Sequence, residues 1–202
     1  MNWDNFNSVA TRILELAYIN VLWILFTLVG LGVFGIFPST TAMFGVVRKL
    51  IRKEGNGKIF STFWTLFRQD FMKANGFGFI LLAVAYFLYF DFTFIYLNDG
   101  RFGFLLPVIA FVFISCLATV FFLFPVYAHF NLKFFHYIKQ SFLIAITSPL
   151  EVLSIALLAL AVYFSITLFP GAIPLFSGSV FAYFATIISL RAFKRIEAKQ
   201  AR

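Results

Sequence analysis

Charge is scarce in this chain. Charged residues make up 12% of its 202 residues, and only 8 are acidic. Ordinary soluble domains carry about 25% charged residues, so a soluble globular domain is excluded. Cysteine is nearly absent. Cys116 stands alone, which rules out an internal disulfide and a cysteine metal site. It falls within an apolar run and reads as packed and inert. The histidines are His129 and His136, two helical turns apart and too distant to share one metal unaided. No metal and no cofactor are expected. The phosphate-binding loop, the GxSxG elbow and the HExxH helix are all missing, and no carboxylates pair within an apolar run. Short loops leave no room for a catalytic domain, so no enzyme is expected.

What is present is apolar. Hydrophobic residues make up 62% of the chain, 32 of them phenylalanine, and mean hydropathy is +0.95. The hydrocarbon of a lipid bilayer is the solvent that fits, and the bilayer is the first partner expected. The expected fold class is all-α: a polytopic membrane bundle of about five transmembrane helices, with amphipathic helices at the cytoplasmic interface. Residues 1–202 read as one integral membrane domain. A net charge of +8 would suit nucleic acid, but the bases lie only between and after apolar runs. That is the positive-inside pattern, and no nucleic-acid partner is expected.

Residues 3–14 place Trp3, Phe6, Val9 or Ala10, and Ile13 or Leu14 on one helical face. This predicts a helix lying on the membrane and leading into a first span over 16–37. Asp4 precedes the first base, and the apolar run is too long for a signal core, so residue 1 is expected in the mature chain. Gly30-Leu-Gly32-Val-Phe-Gly35 matches GxGxxG, but no strand precedes it. Gly30, Gly32 and Gly35 instead read as small residues that let a neighbouring helix approach.

Pro38 is expected to end that span, with Ser39 or Thr40 capping an amphipathic helix over 39–54. Its basic face carries Arg48, Lys49, Arg52 and Lys53, and Gly55-Asn56-Gly57 stops it. A second amphipathic helix is expected over 58–74. Phe60, Phe63, Trp64, Phe67 and Phe71 form its stripe, with Lys58, Arg68, Gln69 and Lys73 off it. Such a stripe serves burial, docking of a partner protein, or lipid headgroup recognition. Arg48, Lys49, Arg52, Lys53, Trp64, Phe67 and Arg68 are therefore candidates for partner or lipid interaction.

Further spans are expected over 76–97, 104–124, 152–169 and 175–190. A third amphipathic segment, 129–142, aligns His129, Lys133, His136 and Gln140. Three intramembrane polar residues stand out. Asn20 suits an interhelical hydrogen bond. Asp91 is costly at bilayer depth, yet lies close enough to the end of its span to reach the interface with Asn98 and Asp99. Glu151 follows Pro149 in a first helical turn, where the helix dipole favours an acid.

By this segmentation about fourteen of the 16 lysines and arginines fall in the first loop, the third loop and the C-terminal tail, leaving Arg12 and Arg101. Five spans put those three regions on the cytoplasmic side, with the N-terminus outside and the C-terminus inside.

Phe34-Gly-Ile-Phe-Pro-Ser-Thr-Thr-Ala42 running into Val47-Arg-Lys49, then Phe63-Trp-Thr-Leu-Phe-Arg68 through Phe71 to Ala74-Asn75, then Ser148-Pro-Leu150, together resemble the YesL-like family of bacterial integral membrane proteins. The family is one of unknown function. Ser39 departs from it, standing where alanine is common. The resemblance implies a bacterial cytoplasmic membrane and a setting beside carbohydrate importers of the ATP-binding-cassette type. It carries over no catalytic or binding residue. The reading favoured is a non-enzymatic accessory or regulatory component of a membrane complex, its partner another membrane protein such as transporter permease subunits. The alternatives are a small transporter or channel, or a lipid-organising structural protein. Homo-oligomerisation is left open.

Overall fold

A computed structural model describes residues 3–54, 58–98 and 102–200, with the side chains of 3–6, 172, 199 and 200 left aside. The expected roles of Trp3, Phe6 and Asp99 and of the stop at Gly55-Asn56-Gly57 lie outside what is described. Seven α-helices follow one another: α1 Trp3–Val29, α2 Val33–Arg52, α3 Ile59–Leu97, α4 Leu106–His129, α5 Phe134–Thr147, α6 Pro149–Leu168 and α7 Ile173–Gln200. There is no strand among the described residues. Five helices, α1, α3, α4, α6 and α7, are long and apolar enough to cross a membrane. The all-α bundle expected from composition is the fold observed.

The first departure from expectation is at Gly30. The helix begun at Trp3 stops at Val29, eight residues before the expected end at 37. Gly32 donates to the Thr27 carbonyl at 2.8 Å and Leu31 to that of Leu28 at 3.0 Å. This pair of bonds is a Schellman stop, and it requires a left-handed residue at Leu31, φ 60°. Gly32 follows at φ 71°. Such a turn normally recruits glycine where leucine stands here. Leu31 is 83% exposed and packs on little. Leu31→Gly is therefore expected to raise stability by roughly 0.5–1 kcal/mol, read as a higher unfolding temperature in detergent.

Pro38 does not end a helix; it lies inside α2. α2 turns back along α1. Trp23 Nε1 donates to Thr40 Oγ1 at 3.1 Å, and Arg12 Nη1 to the Leu50 carbonyl at 3.4 Å. α2 is not a surface helix over most of its length. Gly35, Pro38, Ser39, Thr41, Ala42, Met43, Phe44, Gly45, Val46 and Val47 are all buried, and α1, α3, α4 and α7 pack around it. Small residues make this possible on both sides of the contact. α7 presents buried Ser179, Ala182, Ala185, Thr186, Ser189 and Ala192. In lipid, where apolar burial drives little association, close backbone approach supplies the attraction.

The second departure joins the expected 58–74 helix to the 76–97 span. α3 runs unbroken from Ile59 to Leu97, 39 residues or about 58 Å. Asn75 does not interrupt it, because its Nδ2 donates to the Phe71 carbonyl at 3.0 Å. The third concerns 129–142. His129 ends α4, residues 130–133 are non-helical, with Phe130 and Lys133 extended, and α5 starts at Phe134, so His129 and His136 share no helical face. The Tyr137 hydroxyl pins that link, accepting from Leu132 N–H at 3.0 Å and donating to the Phe130 carbonyl at 3.2 Å.

One end of the bundle collects the charge. Arg12 of α1 meets Leu50 of α2; His129 of α4 lies beside Glu197 of α7, and Glu151 of α6 beside Arg195 of α7. Arg12 of α1 and the basic end of α7 thus lie at one end of the bundle. The return of α2 along α1 brings them there.

Candidate functional site

The four bases of α2 fan out in two directions. Arg48 and Arg52 grip Glu54, at 3.6 and 3.4 Å, just past the helix end. They act electrostatically on His129, whose Nε2 lies 3.7 Å from Glu197. Lys49 and Lys53 turn the other way. With Arg12, Glu15, Lys58 and Thr62 they line a cavity of about 230 Å³ between α1, α2 and α3. Sequence reading grouped Arg48, Lys49, Arg52 and Lys53 as one face. The structure splits them into an internally paired half and an open half.

The aromatic candidates divide too. Phe67 is buried, its ring 5.0 Å from that of Phe26, so it packs the α1–α3 contact and presents no docking surface. Phe63 stacks on the same ring at 5.1 Å. Trp64 is partly exposed, and Arg68 is exposed.

Asn20 is fully buried and spans one turn of α7. Its Nδ2 donates to the carbonyls of Ile173 and Pro174 at 3.2 and 2.9 Å. Its Oδ1 accepts from the N–H groups of Gly178 and Ser179 at 2.9 and 3.0 Å. This is the interhelical bond expected, multiplied fourfold and directed at backbone. Glu151 is buried in the first turn of α6, with Oε1 2.9 Å from Arg195 Nη2. Arg195→Ala would leave that carboxylate facing only the helix dipole. Because the guanidinium is half exposed, the expected cost is on the order of 1 kcal/mol. Arg195→Ala should lower the unfolding temperature more than Arg191→Ala, and adding Glu151→Gln should recover most of the loss. Asp91 is exposed on α3, away from both clusters, and among the described residues no ion pair or hydrogen bond reaches it.

The glycines expected to serve helix packing lie at the α1–α2 turn. A Cβ on Gly35 would run into the Thr27 carbonyl, and one on Gly30 into the Gly35 Cα. Gly32 meets nothing within 4 Å; its positive φ is what it contributes. No group of three or more histidines, cysteines or acids that could hold a metal exists among the described residues. Arg12, Glu15, Lys58, Glu54 and Glu197 were not singled out by sequence. Their significance depends on helix pairing, and only the lone position of Arg12 before the first span hinted at it.

The family model described as "Protein of unknown function, DUF624" matches residues 16–92, from α1 through most of α3. The protein YesL of Bacillus subtilis (strain 168) is 33% identical over 201 residues, covering 98% of this chain and 93% of the relative. The chain belongs to this family. YteU of the same bacterium is 36% identical over 176 residues, 85% of this chain and 77% of the relative. YesV is 28% identical over 195 residues, 93% and 90%. All three relatives are described as uncharacterized. No solved structure matches the chain. The family and the five apolar helices make this a multi-pass membrane protein, and no enzyme family is indicated.

Proposed function

We propose that the protein is a non-enzymatic accessory component of a membrane complex, holding a second membrane protein against the outer part of its α3–α4 hairpin. One observation carries this reading. Beyond Gly78 of α3 and before Ser115 of α4, most of the described residues are exposed, including Phe79, Tyr86, Phe87, Phe90, Phe111 and Phe113, while Ile95 is buried and Leu81, Val84 and Leu88 are half-buried. The two helices diverge around an apolar groove of about 720 Å³, floored by Leu81, Val84, Leu88, Ile109 and Leu117. α1 and α7 bury far more of their spans within the chain. In membranes, helices gain by packing on one another, and this pair has only its own edges to pack on.

The partner class favoured by the family resemblance is a permease subunit of a carbohydrate importer. The membrane is the bacterial cytoplasmic one, with the basic end inward. Both α1 and α7 then start or finish on the cytoplasmic side, in place of the separated termini expected from five spans. A transporter role has less support, because Asn20 is spent on α7 backbone and Glu151 on Arg195, while Asp91 faces outward. Acyl chains filling the groove would instead suit the lipid-organising reading.

Ala85 and Ala110 line the groove. Ala85→Trp with Ala110→Trp should fill it. Tagged protein purified from native membranes in mild detergent is expected to retain permease subunits in stoichiometric amount, and the double variant to lose them while staying monodisperse. Undiminished recovery with the groove filled would sink this docking site. Recovery of the protein alone would favour the lipid-organising role.

A further inference from the structure

The geometry points to the cavity between α1, α2 and α3 as a binding site for a phosphate group. Its walls carry Arg12, Lys49, Lys53 and Lys58 against a single acid, Glu15. That acid is already engaged, 3.3 Å from Arg12. Glu54, the nearest acid in sequence, is held by Arg48 and Arg52. Among the described residues no carboxylate meets Lys49, Lys53 or Lys58. Three lysines with no carboxylate partner among the described residues therefore line a space of about 230 Å³, large enough for a phosphate with part of its ester.

The negative end of the α2 dipole accounts for Lys49 and Lys53 only in part. It does not account for Lys58. That residue stands at the start of α3, the positive end of a 39-residue helix with no acid in its first turn and no side-chain cap. A cation there is unfavourable unless an anion sits between them. Thr62, one turn in, adds a hydroxyl to the same wall. Arg12 offers a planar donor, while the lysines act as point charges that accept either a phosphodiester or a phosphomonoester.

Both a phospholipid headgroup and a soluble phosphate ester carry this chemistry. Apolar Val46, Leu50 and Ile59 share the lining and favour the lipid. The site is independent of the α3–α4 groove, so it stands or falls apart from the accessory-component reading.

The test uses the full chain in detergent, with thermal unfolding followed against added phosphatidylglycerol, phosphatidylcholine, or glycerol 3-phosphate. Phosphatidylglycerol should raise the unfolding temperature saturably and phosphatidylcholine should not. Lys49→Gln with Lys53→Gln should weaken the apparent affinity at least about tenfold. Arg191→Gln with Lys194→Gln removes the same charge from the exposed face of α7 and should leave the affinity unchanged. If the lysine pair fails to fold, Lys58→Gln alone serves, with a smaller loss expected. Saturable stabilisation by glycerol 3-phosphate but not by lipid would keep the phosphate site and assign it to a soluble ester. No saturable response to either, or equal loss in both double variants, would overturn the proposal.

Discussion

Replacing Asn20 with leucine is expected to cost about 2–4 kcal/mol and to lower the unfolding temperature in detergent by roughly 5–15 °C. Two routes to the magnitude agree. Interhelical hydrogen bonds in membrane proteins average about 0.6 kcal/mol each, and Asn20 makes four to α7 backbone, for a total near 2.4 kcal/mol. Alternatively, each buried backbone group left without a partner costs about 1–3 kcal/mol. Part of that cost would be recovered, because Gly178 and Ser179 can turn their N–H groups to their own i−4 carbonyls, Pro174 and Leu175. The Ile173 and Pro174 carbonyls lie in the first turn of α7, and their loss depends on the same adjustment. The surroundings limit it: a Cβ on Gly178 would already meet Met43 Sδ at 3.3 Å. Leucine adds a branched side chain where a planar amide fits. An Asn20→Leu protein that unfolds within about 2 °C of the parent would mean that α7 closes its own ladder freely, and the amide would then lose its structural role.

Asn20 was legible as a polar exception in an apolar run; what it touches was not. Its partners lie more than 150 residues away in sequence, and no periodicity connects them. The same contrast runs through the fold. Long apolar runs identify α1, α3, α4, α6 and α7, because a bilayer demands about 20 apolar residues and little else does. The amphipathic pattern over 39–54 shows most of α2, but its small and hydroxylated residues hid its start at Val33 and its burial. In a soluble protein Pro38-Ser39-Thr40-Thr41 signals a helix start. Here Thr40 Oγ1 donates to the Ile36 carbonyl at 2.6 Å and Thr41 Oγ1 to that of Pro38 at 2.8 Å, so the hydroxyls close on their own helix and it continues. The span expected over 104–124 likewise does not end before Pro125, which lies inside α4. The glycine after Asn75 is not a break either. A Cβ on Gly76 would press against the Phe134 ring at 3.0 Å, so it is there to admit that ring. At the candidate site, Lys49 and Lys53 could be read from the amphipathic pattern. Arg12 could not, because the hairpin that brings it to Leu50 joins positions 38 residues apart.

Gly35→Val is expected to be the most damaging single substitution, abolishing a monodisperse product in detergent or costing more than about 4 kcal/mol. Ordinary overpacking costs about 1–3 kcal/mol, because side chains move aside. At Gly35 what a Cβ meets is backbone: the Thr27 carbonyl, with Thr27 Cα also 2.8 Å away. Backbone can yield only if α1 and α2 part, which would expose the buried face of α2 from Pro38 to Val47. Gly32→Ala provides the contrast. Nothing lies within 4 Å of its Cβ, and the positive φ alone should cost about 1–2 kcal/mol. The ratio of the two effects thus reports on the hairpin itself. If Gly35→Val behaves like Gly32→Ala, the helices do not touch there, and α2 is the surface helix its basic face suggested. The two arrangements also differ in topology. A close hairpin puts the start of α1 on the side of Lys58, so a fluorescent protein fused before residue 1 should fold and fluoresce on the same side as one fused after Arg202.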